Sequence, residues 1–127
     1  MKTGDAMKTP GPDHPIAIAP TNGHVVVRAG GRVLVDTTKA LNLREASYPA
    51  VQYVPRADAD MTLLERSSHT TYCPYKGECS YYSIRGGEQN AVWTYEHPYP
   101  AVAEIEGHLA FYPDRVDSIE ISRTGSR

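Results

Sequence analysis

Residues 72–77, with the sequence Tyr-Cys-Pro-Tyr-Lys-Gly, bring two side chains with nucleophilic chemistry close together in the chain. Cys73 carries a thiol and Lys76 an amine, and each becomes a nucleophile when it loses a proton. Pro74 restrains the backbone and Gly77 permits a tight turn, so the segment suits a defined backbone shape better than a packed core. We therefore predict a functional site that includes Cys73 and Lys76.

Each of these two side chains has two interpretations. A buried free cysteine usually behaves as a small hydrophobic residue, whereas a nucleophilic Cys73 needs a neighbouring cation or base, for which Lys76, His69 and Arg44 are candidates. Lysines are usually solvated at the surface. A lysine desolvated by the surrounding tyrosines would instead serve as a base, a Schiff-base amine or an anion anchor.

Glu45 is the third candidate catalytic residue. It follows Leu43 at the spacing of two that places side chains on one face of a strand, with Arg44 on the opposite face. A carboxylate that faces a protein interior must be paired or functional. The alternatives are a salt bridge with Arg44, Arg56 or Lys76, and general acid–base chemistry.

The aromatic residues are unusual, because the chain has nine Tyr but one Trp and one Phe. Trp93 and Tyr95 fall on one face of a predicted strand, together with Ala91. They form either the core and rim of a hairpin or, with Tyr53, the wall of a pocket that stacks a flat or apolar ligand. Arg56 is an anion anchor or an exposed side chain, and His69 belongs to the site or to a surface loop.

The cysteine spacing does not favour a metal site. His69, Cys73 and Cys79 form the pattern H-x3-C-x5-C, whereas a structural zinc site needs four ligands, usually in close pairs. An isolated disulfide is also a poor default for a cytoplasmic protein. We predict no metal and no cofactor.

Size and charge narrow the class of protein. The chain has 127 residues and a net charge of -2, with no basic run, which predicts one domain and argues against binding to nucleic acid. No apolar stretch approaches the roughly 18 residues of a membrane span, and the polar start does not resemble a signal peptide. We expect a cytoplasmic protein with disordered tails at residues 1–13 and 123–127 and a single β-rich domain at residues 14–122.

Short β-branched and aromatic runs separated by Gly and Pro predict the elements that position these residues. The predicted strands cover residues 16–18, 25–29, 32–36, 38–45, 51–54, 80–85, 91–95, 109–112 and 116–121. A helix is predicted at residues 58–66, a loop at His69 and a helical turn at residues 101–104. The fold class is mainly β: a compact antiparallel barrel-like or folded sheet with one or two short helices.

A set of short blocks carries a family resemblance. In chain order they are His14-Pro15-Ile16, the Gly30-Gly31 hairpin, Leu43-Arg44-Glu45, Tyr48-Pro49, Tyr53-x-Pro55, Asp60-Met61, Cys73-Pro74-x-Lys76-Gly77 with Tyr81-Tyr82, Asn90-Ala91-x-Trp93-x-Tyr95, and Phe111-Tyr112. Together they resemble the family called domain of unknown function 427 over about residues 14–117. The resemblance implies a compact, β-rich single domain without an established reaction.

The same resemblance bears on mechanism in two ways. The family is sometimes given a nucleotidyltransferase-like label, but the chain has neither a paired-Asp metal motif on a strand nor a Gly-rich phosphate loop. Cys79 stands where the family usually has a small residue, which argues against a two-cysteine mechanism.

Two hypotheses of function follow from these residues. The first is a small-molecule pocket beneath the Cys73–Lys76 segment, lined by Glu45, Trp93, Tyr95 and Tyr53, with catalysis left undecided. The second is a non-catalytic module that binds a metabolite or a partner, in which Cys73 and Lys76 are structural. The protein is expected to be a monomer, or a homodimer formed through an open sheet edge.

Overall fold

The computed structural model describes residues 7–123, which form ten strands joined by short turns. The strands are β1 (Ile16–Pro20), β2 (Gly23–Ala29), β3 (Arg32–Thr37), β4 (Leu41–Glu45), β5 (Val51–Tyr53), β6 (Leu64–Cys73), β7 (Gly77–Ile84), β8 (Val92–Thr94), β9 (Leu109–Phe111) and β10 (Ser118–Arg123). Short 3-10 helices span Arg56–Asp58, Met61–Leu63, Pro100–Ile105 and Pro113–Arg115. Of the tails predicted at residues 1–13 and 123–127, residues 1–6 and 124–127 lie outside the described residues.

The strands form three antiparallel sheets, so the mainly β prediction is confirmed. Two sheets have three strands, in the orders β1-β4-β5 and β10-β2-β3, and one has four strands, in the order β6-β7-β8-β9. Within residues 7–123 these sheets remain open and do not close into a barrel. No helix of the described residues is long and apolar enough to cross a membrane.

The four-stranded sheet lies between two hydrophobic clusters. Along β7, Tyr82 and Ile84 join one cluster with Val25 and Val27 of β2, while the alternate residues Cys79 and Tyr81 join the other. That second cluster also contains Leu43 of β4 and Tyr53 of β5. Both faces of the four-stranded sheet are therefore covered, and most residues on both faces of its inner strands β7 and β8 are buried.

Both predicted hairpins are present. Gly30 and Gly31 join β2 to β3 with φ values of 60° and 76°, a conformation that glycine adopts without strain. Farther along the chain, β7 pairs with β8 in a register that places Tyr81 opposite Trp93. This second pairing positions Trp93 beside the second cluster.

The predicted helix at residues 58–66 is wrong. The short 3-10 helix Met61–Leu63 lies within this range, the preceding 3-10 helix Arg56–Asp58 overlaps it only at Asp58, and β6 begins at Leu64. Asp60 does cap a turn, because its carboxylate accepts a hydrogen bond from the Thr62 amide at 3.1 Å. From Leu64 onward the backbone pairs with β7, and so short a helix gains too little by itself to compete with a sheet ladder.

The predicted loop at His69 is also wrong, because His69 lies inside β6. The ladder between β6 and β7 is nevertheless interrupted between Arg66 and Thr70, and the His69 amide donates to Ser67 Oγ at 3.0 Å in that interval. The polar run of Ser and Thr therefore forms a bulged edge strand rather than a loop.

The segment that contains Cys73 and Lys76 is the tight turn between β6 and β7. Cys73 pairs with Gly77, and the Lys76 amide donates to the Cys73 carbonyl at 3.2 Å. Gly77 has a φ of 110°, which strains any residue with a side chain. The turn is thus fixed by glycine, as its sequence predicts, and Lys76 is the residue immediately before it.

Candidate functional site

A cavity of about 280 Å³ lies between the β1-β4-β5 sheet and the four-stranded sheet. We call it the tyrosine cavity. Its lining residues are Leu43, Glu45, Tyr48, Pro49, Val51, Tyr53, Lys76, Cys79, Tyr81, Trp93, Tyr95 and Tyr112. The structure therefore brings together five of the residues chosen from the sequence: Glu45, Tyr53, Lys76, Trp93 and Tyr95.

Glu45 and Lys76 form an ion pair at this cavity. Lys76 Nζ donates a hydrogen bond to Glu45 Oε1. The Lys76 side chain is 8% exposed and the Glu45 side chain 16% exposed. The ammonium also lies 5.8 Å from the centre of the Tyr95 ring, within the range of a cation–π contact. Of the partners considered for Glu45 from the sequence, Lys76 is the one observed.

His14 completes a row of three polar side chains. Its Nε2 lies 2.7 Å from the second carboxylate oxygen of Glu45, so Glu45 bridges His14 and Lys76. The His14 ring stacks on Tyr75 at 3.9 Å with an interplanar angle of 5°. The backbone N–H of His14 donates to the Gly11 carbonyl at 2.9 Å, which helps to hold the histidine in place.

The electrostatics of the row favour an ionised Glu45. Burial raises the pKa of this carboxyl, but the hydrogen bonds and positive charges of Lys76 and His14 outweigh burial and bring the pKa below its ordinary value of 4.5. At neutral pH the cavity therefore holds a carboxylate beside an ammonium. Removing either partner would leave a poorly solvated charge, which is strongly destabilising.

Three tyrosine side chains of the cavity, those of Tyr53, Tyr81 and Tyr95, are neutral hydroxyls. Burial raises the pKa of Tyr53, Tyr81 and Tyr95 well above the ordinary value of a phenol. The Tyr53 hydroxyl accepts a hydrogen bond from Trp93 Nε1 at 3.1 Å, and the Tyr81 hydroxyl lies 2.9 Å from Thr71 Oγ1. The wall thus offers aromatic faces and uncharged hydrogen-bonding groups that are already held in position.

The two cysteines have different positions. Both are free thiols, and Cys79 lines the cavity, where burial raises its pKa and opposes formation of a thiolate. Cys73 is partly buried and packs against the second cluster without lining the cavity. Within residues 7–123 no group of three His, Cys, Asp or Glu side chains is arranged to hold a metal ion.

Three other residues chosen from the sequence lie outside the tyrosine cavity. Arg44 is on the opposite face of β4 from Glu45 and lines a different groove. Arg56 donates to the Tyr82 hydroxyl at 2.5 Å, and its guanidinium lies 5.2 Å from the centre of that ring. The His69 ring packs on Tyr81, with 4.6 Å between ring centres.

Sequence reasoning missed several members of the site: His14, Tyr75, Cys79, Tyr81 and Tyr112. The alternation along β7 was a usable signal, because it puts Cys79 and Tyr81 on one face. His14 precedes Glu45 by 31 positions, so its place depends on the pairing of β1 with β4. The signal for His14 was its position in the first block of the family resemblance.

A comparison with curated proteins found none that matches this chain. A family model described as "Domain of unknown function (DUF427)" matches residues 17–122. The match spans every residue that lines the tyrosine cavity, and His14 lies just before it. Because the match covers most of the chain, the protein belongs to the DUF427 family.

Proposed function

We propose that this domain binds a small, flat, uncharged molecule in the tyrosine cavity. The observation that best supports the proposal is the charge balance of the lining: aromatic rings and neutral hydroxyls surround one ion pair, Glu45 with Lys76, whose charges compensate each other. Ligand pockets usually measure about 300–1000 Å³, and the 280 Å³ of this cavity is near the lower end. The expected ligand is therefore a single or fused ring.

The polar end of the ligand would lie at Lys76. An ammonium has three N–H donors, and the Glu45 contact uses one of them. A carbonyl, hydroxyl or amide oxygen would accept a further N–H, while its ring would lie against Trp93 and Tyr95. A charged ligand would upset the balance of the cavity, which is why an uncharged one is favoured.

Catalysis is a second candidate, which the His14–Glu45–Lys76 row favours. The row would let a proton pass between the part-exposed His14 and the buried Lys76, with Lys76 as base or Schiff-base amine and Glu45 as its partner. Cys73 is not part of this row, so we propose a structural role for it. Free thiols are typical of a reducing compartment, so we also propose a cytoplasmic location.

Binding can be tested with phenol, indole, benzamide and nicotinamide as probes. Trp93 is the only tryptophan of the chain, so intrinsic fluorescence reports on this cavity, and calorimetry gives the stoichiometry. We expect at least one probe to bind the wild-type protein saturably, one per chain. The double variant Glu45→Leu with Lys76→Met should weaken that binding by about tenfold or more, because it removes the polar anchor.

The control is Lys39→Met, which removes an exposed lysine that does not line the cavity. Its affinity should equal that of the wild type. Failure of every probe to bind at millimolar concentration, or equal binding by the double variant and the wild type, would overturn the proposal.

A further inference from the structure

A larger groove, of about 730 Å³, lies on the other face of the β1-β4-β5 sheet. We call it the arginine groove. Its walls come from β4 and β5 on one side and from β2 and β10 on the other, with Trp93 and Phe111 of the four-stranded sheet also in the lining. Its volume falls within the range of about 300–1000 Å³ that is usual for small-molecule sites.

Much of the groove is apolar and open to solvent. Ile121 and Tyr48 are 41% and 63% exposed and Ile119 is partly buried, whereas the lining residues Val27 and Phe111 belong to the buried core. Large apolar side chains that share one exposed concave surface often mark a binding site. The groove therefore offers an aliphatic and aromatic surface to an apolar chain.

The charge of the groove is not balanced, in contrast to the tyrosine cavity. Its lining contains two arginines, Arg44 and Arg123, and no Asp or Glu. Arg123 donates to the Thr21 carbonyl, whereas the exposed Arg44 side chain has no ion-pair or hydrogen-bond partner within residues 7–123. A guanidinium beside an apolar surface is suited to a carboxylate, which it binds through two parallel hydrogen bonds.

The other polar side chains of the groove are largely engaged with each other. Gln52 Nε2 donates to Asn42 Oδ1 at 2.7 Å, and Thr21 Oγ1 donates to Gln52 Oε1 at 2.5 Å. The side-chain amides of Asn42 and Gln52 therefore stabilise the sheet and have fewer hydrogen-bonding groups left for a ligand. The groove therefore combines two guanidinium groups, of which that of Arg44 is the better placed to anchor a ligand, with an apolar surface.

We propose that the arginine groove binds a single-chain amphipathic carboxylate. The carboxylate binds Arg44, and the alkyl chain lies along Ile119, Ile121 and Tyr48. Tyr48, Pro49, Val51 and Trp93 line both sites, but Arg44 lines only the groove, whereas Glu45 and Lys76 line only the tyrosine cavity. The proposal therefore does not depend on a ligand in the tyrosine cavity, and variants of these charged residues distinguish the two sites.

Decanoate is a suitable probe, and decanol is its uncharged counterpart. Calorimetric titration of the full chain should show saturable binding of one decanoate, and Trp93 fluorescence should change with it, since Trp93 also lines this groove. Arg44→Gln should weaken decanoate binding by about tenfold. It should leave decanol affinity unchanged, because decanol carries no charge for the guanidinium to bind.

Two further variants complete the design. Ile121→Asp puts a carboxylate on the apolar surface at an exposed position and should abolish decanoate binding without unfolding the protein. Arg32→Gln is the matched control, because Arg32 is an exposed strand arginine that does not line the groove. Its decanoate affinity should equal that of the wild type.

The proposal is overturned if decanoate shows no saturable binding, or if Arg44→Gln binds it as tightly as the wild type. It is also overturned if the Glu45→Leu, Lys76→Met double variant loses decanoate binding while Arg44→Gln keeps it, because the probe would then occupy the tyrosine cavity. Thermal melting of each variant distinguishes loss of binding from loss of fold.

Discussion

The tyrosine cavity and the arginine groove share the lining residues Tyr48, Pro49, Val51 and Trp93, but their charged residues lie on opposite faces of the same three-stranded sheet. Glu45 and Arg44 are neighbours on β4, yet the alternation of the strand sends one to the cavity and the other to the groove. Glu45 is mostly buried and has two partners, Lys76 and His14. Arg44 is exposed and has no such partner within residues 7–123.

The difference follows from the cost of desolvation. A charge removed from water requires a compensating charge and hydrogen bonds, so the buried side of the sheet is electrically balanced. A positive charge that stays hydrated, such as that of Arg44, needs no protein partner and can bind an anionic ligand. We infer that the cavity selects neutral ligands and the groove selects anions, and the predictions below test this contrast.

The largest expected effect comes from breaking the balance in the cavity. Glu45→Ala leaves Lys76 buried without its carboxylate and should lower the free energy of unfolding by about 3 kcal/mol. The matched control is Glu65→Ala, which removes an exposed carboxylate that lies 3.8 Å from Arg85. The control should cost less than about 0.5 kcal/mol, because exposed ion pairs contribute little.

Urea denaturation of the two variants measures both values. Equal destabilisation by Glu45→Ala and Glu65→Ala would mean that the cavity pair is no more desolvated than a surface pair. The contrast between the two faces of the sheet would then lose its physical basis.

Acid should remove part of the same stabilisation. The folded-state pKa of Glu45 lies below the ordinary value of 4.5 that applies to the unfolded chain, so its contribution is complete above pH 4.5. It is lost as the pH falls below 4.5 and through the folded-state pKa. The stability gap between the wild type and Glu45→Gln should therefore shrink below pH 4.5, as measured by urea denaturation at a series of pH values.

Arg44 supplies the comparison for this pH series, because a guanidinium stays protonated throughout the range. The stability gap between the wild type and Arg44→Gln should stay constant below pH 4.5. A Glu45→Gln gap that is equally constant would contradict the assignment of an ionised, hydrogen-bonded Glu45.

A smaller effect is expected when both charges are removed together. The double variant Glu45→Leu with Lys76→Met replaces the pair by apolar groups of similar size, and such replacements are often neutral or stabilising. We expect a change in the free energy of unfolding within about 1 kcal/mol, smaller than that of Glu45→Ala alone. A double-mutant cycle by urea denaturation measures the coupling, and a double variant as unstable as Glu45→Ala would show that the charges do not compensate each other.

The sequence predicts the division of β4 better than it predicts the cavity. Alternation alone places Leu43 and Glu45 on one face and Arg44 on the other, and this is what the structure contains. Trp93 and Tyr95 also share a face as predicted, since both belong to the second cluster. The alternation of side chains along a strand is a local property, so it can be predicted without knowing which strands lie beside it.

The strand at residues 64–73 and the position of His14 depend on contacts between residues far apart in the chain, which the sequence pattern does not reveal. The apolar residues Met61, Leu63 and Leu64 fit a helical stripe, and only the pairing of Leu64 with Ile84 of β7 makes the following residues a strand. His14 approaches Glu45 because β1 pairs with β4 in the register that sets Ile16 against Glu45. The register of β6 against β7 and that of β1 against β4 cannot be deduced from the sequences of the paired strands alone.

The smallest expected effect is that of Arg44→Gln on stability. An exposed arginine without an ion pair within residues 7–123 should change the free energy of unfolding by no more than about 0.5 kcal/mol in either direction. The measurement is urea denaturation at neutral pH, with Arg32→Gln as the exposed control. A cost near that of Glu45→Ala would mean that Arg44 is held by the fold and is not available to a ligand. A small cost combined with weaker decanoate binding would instead separate the two faces of the sheet: a charge on one face supports the structure, and a charge on the other is available for binding.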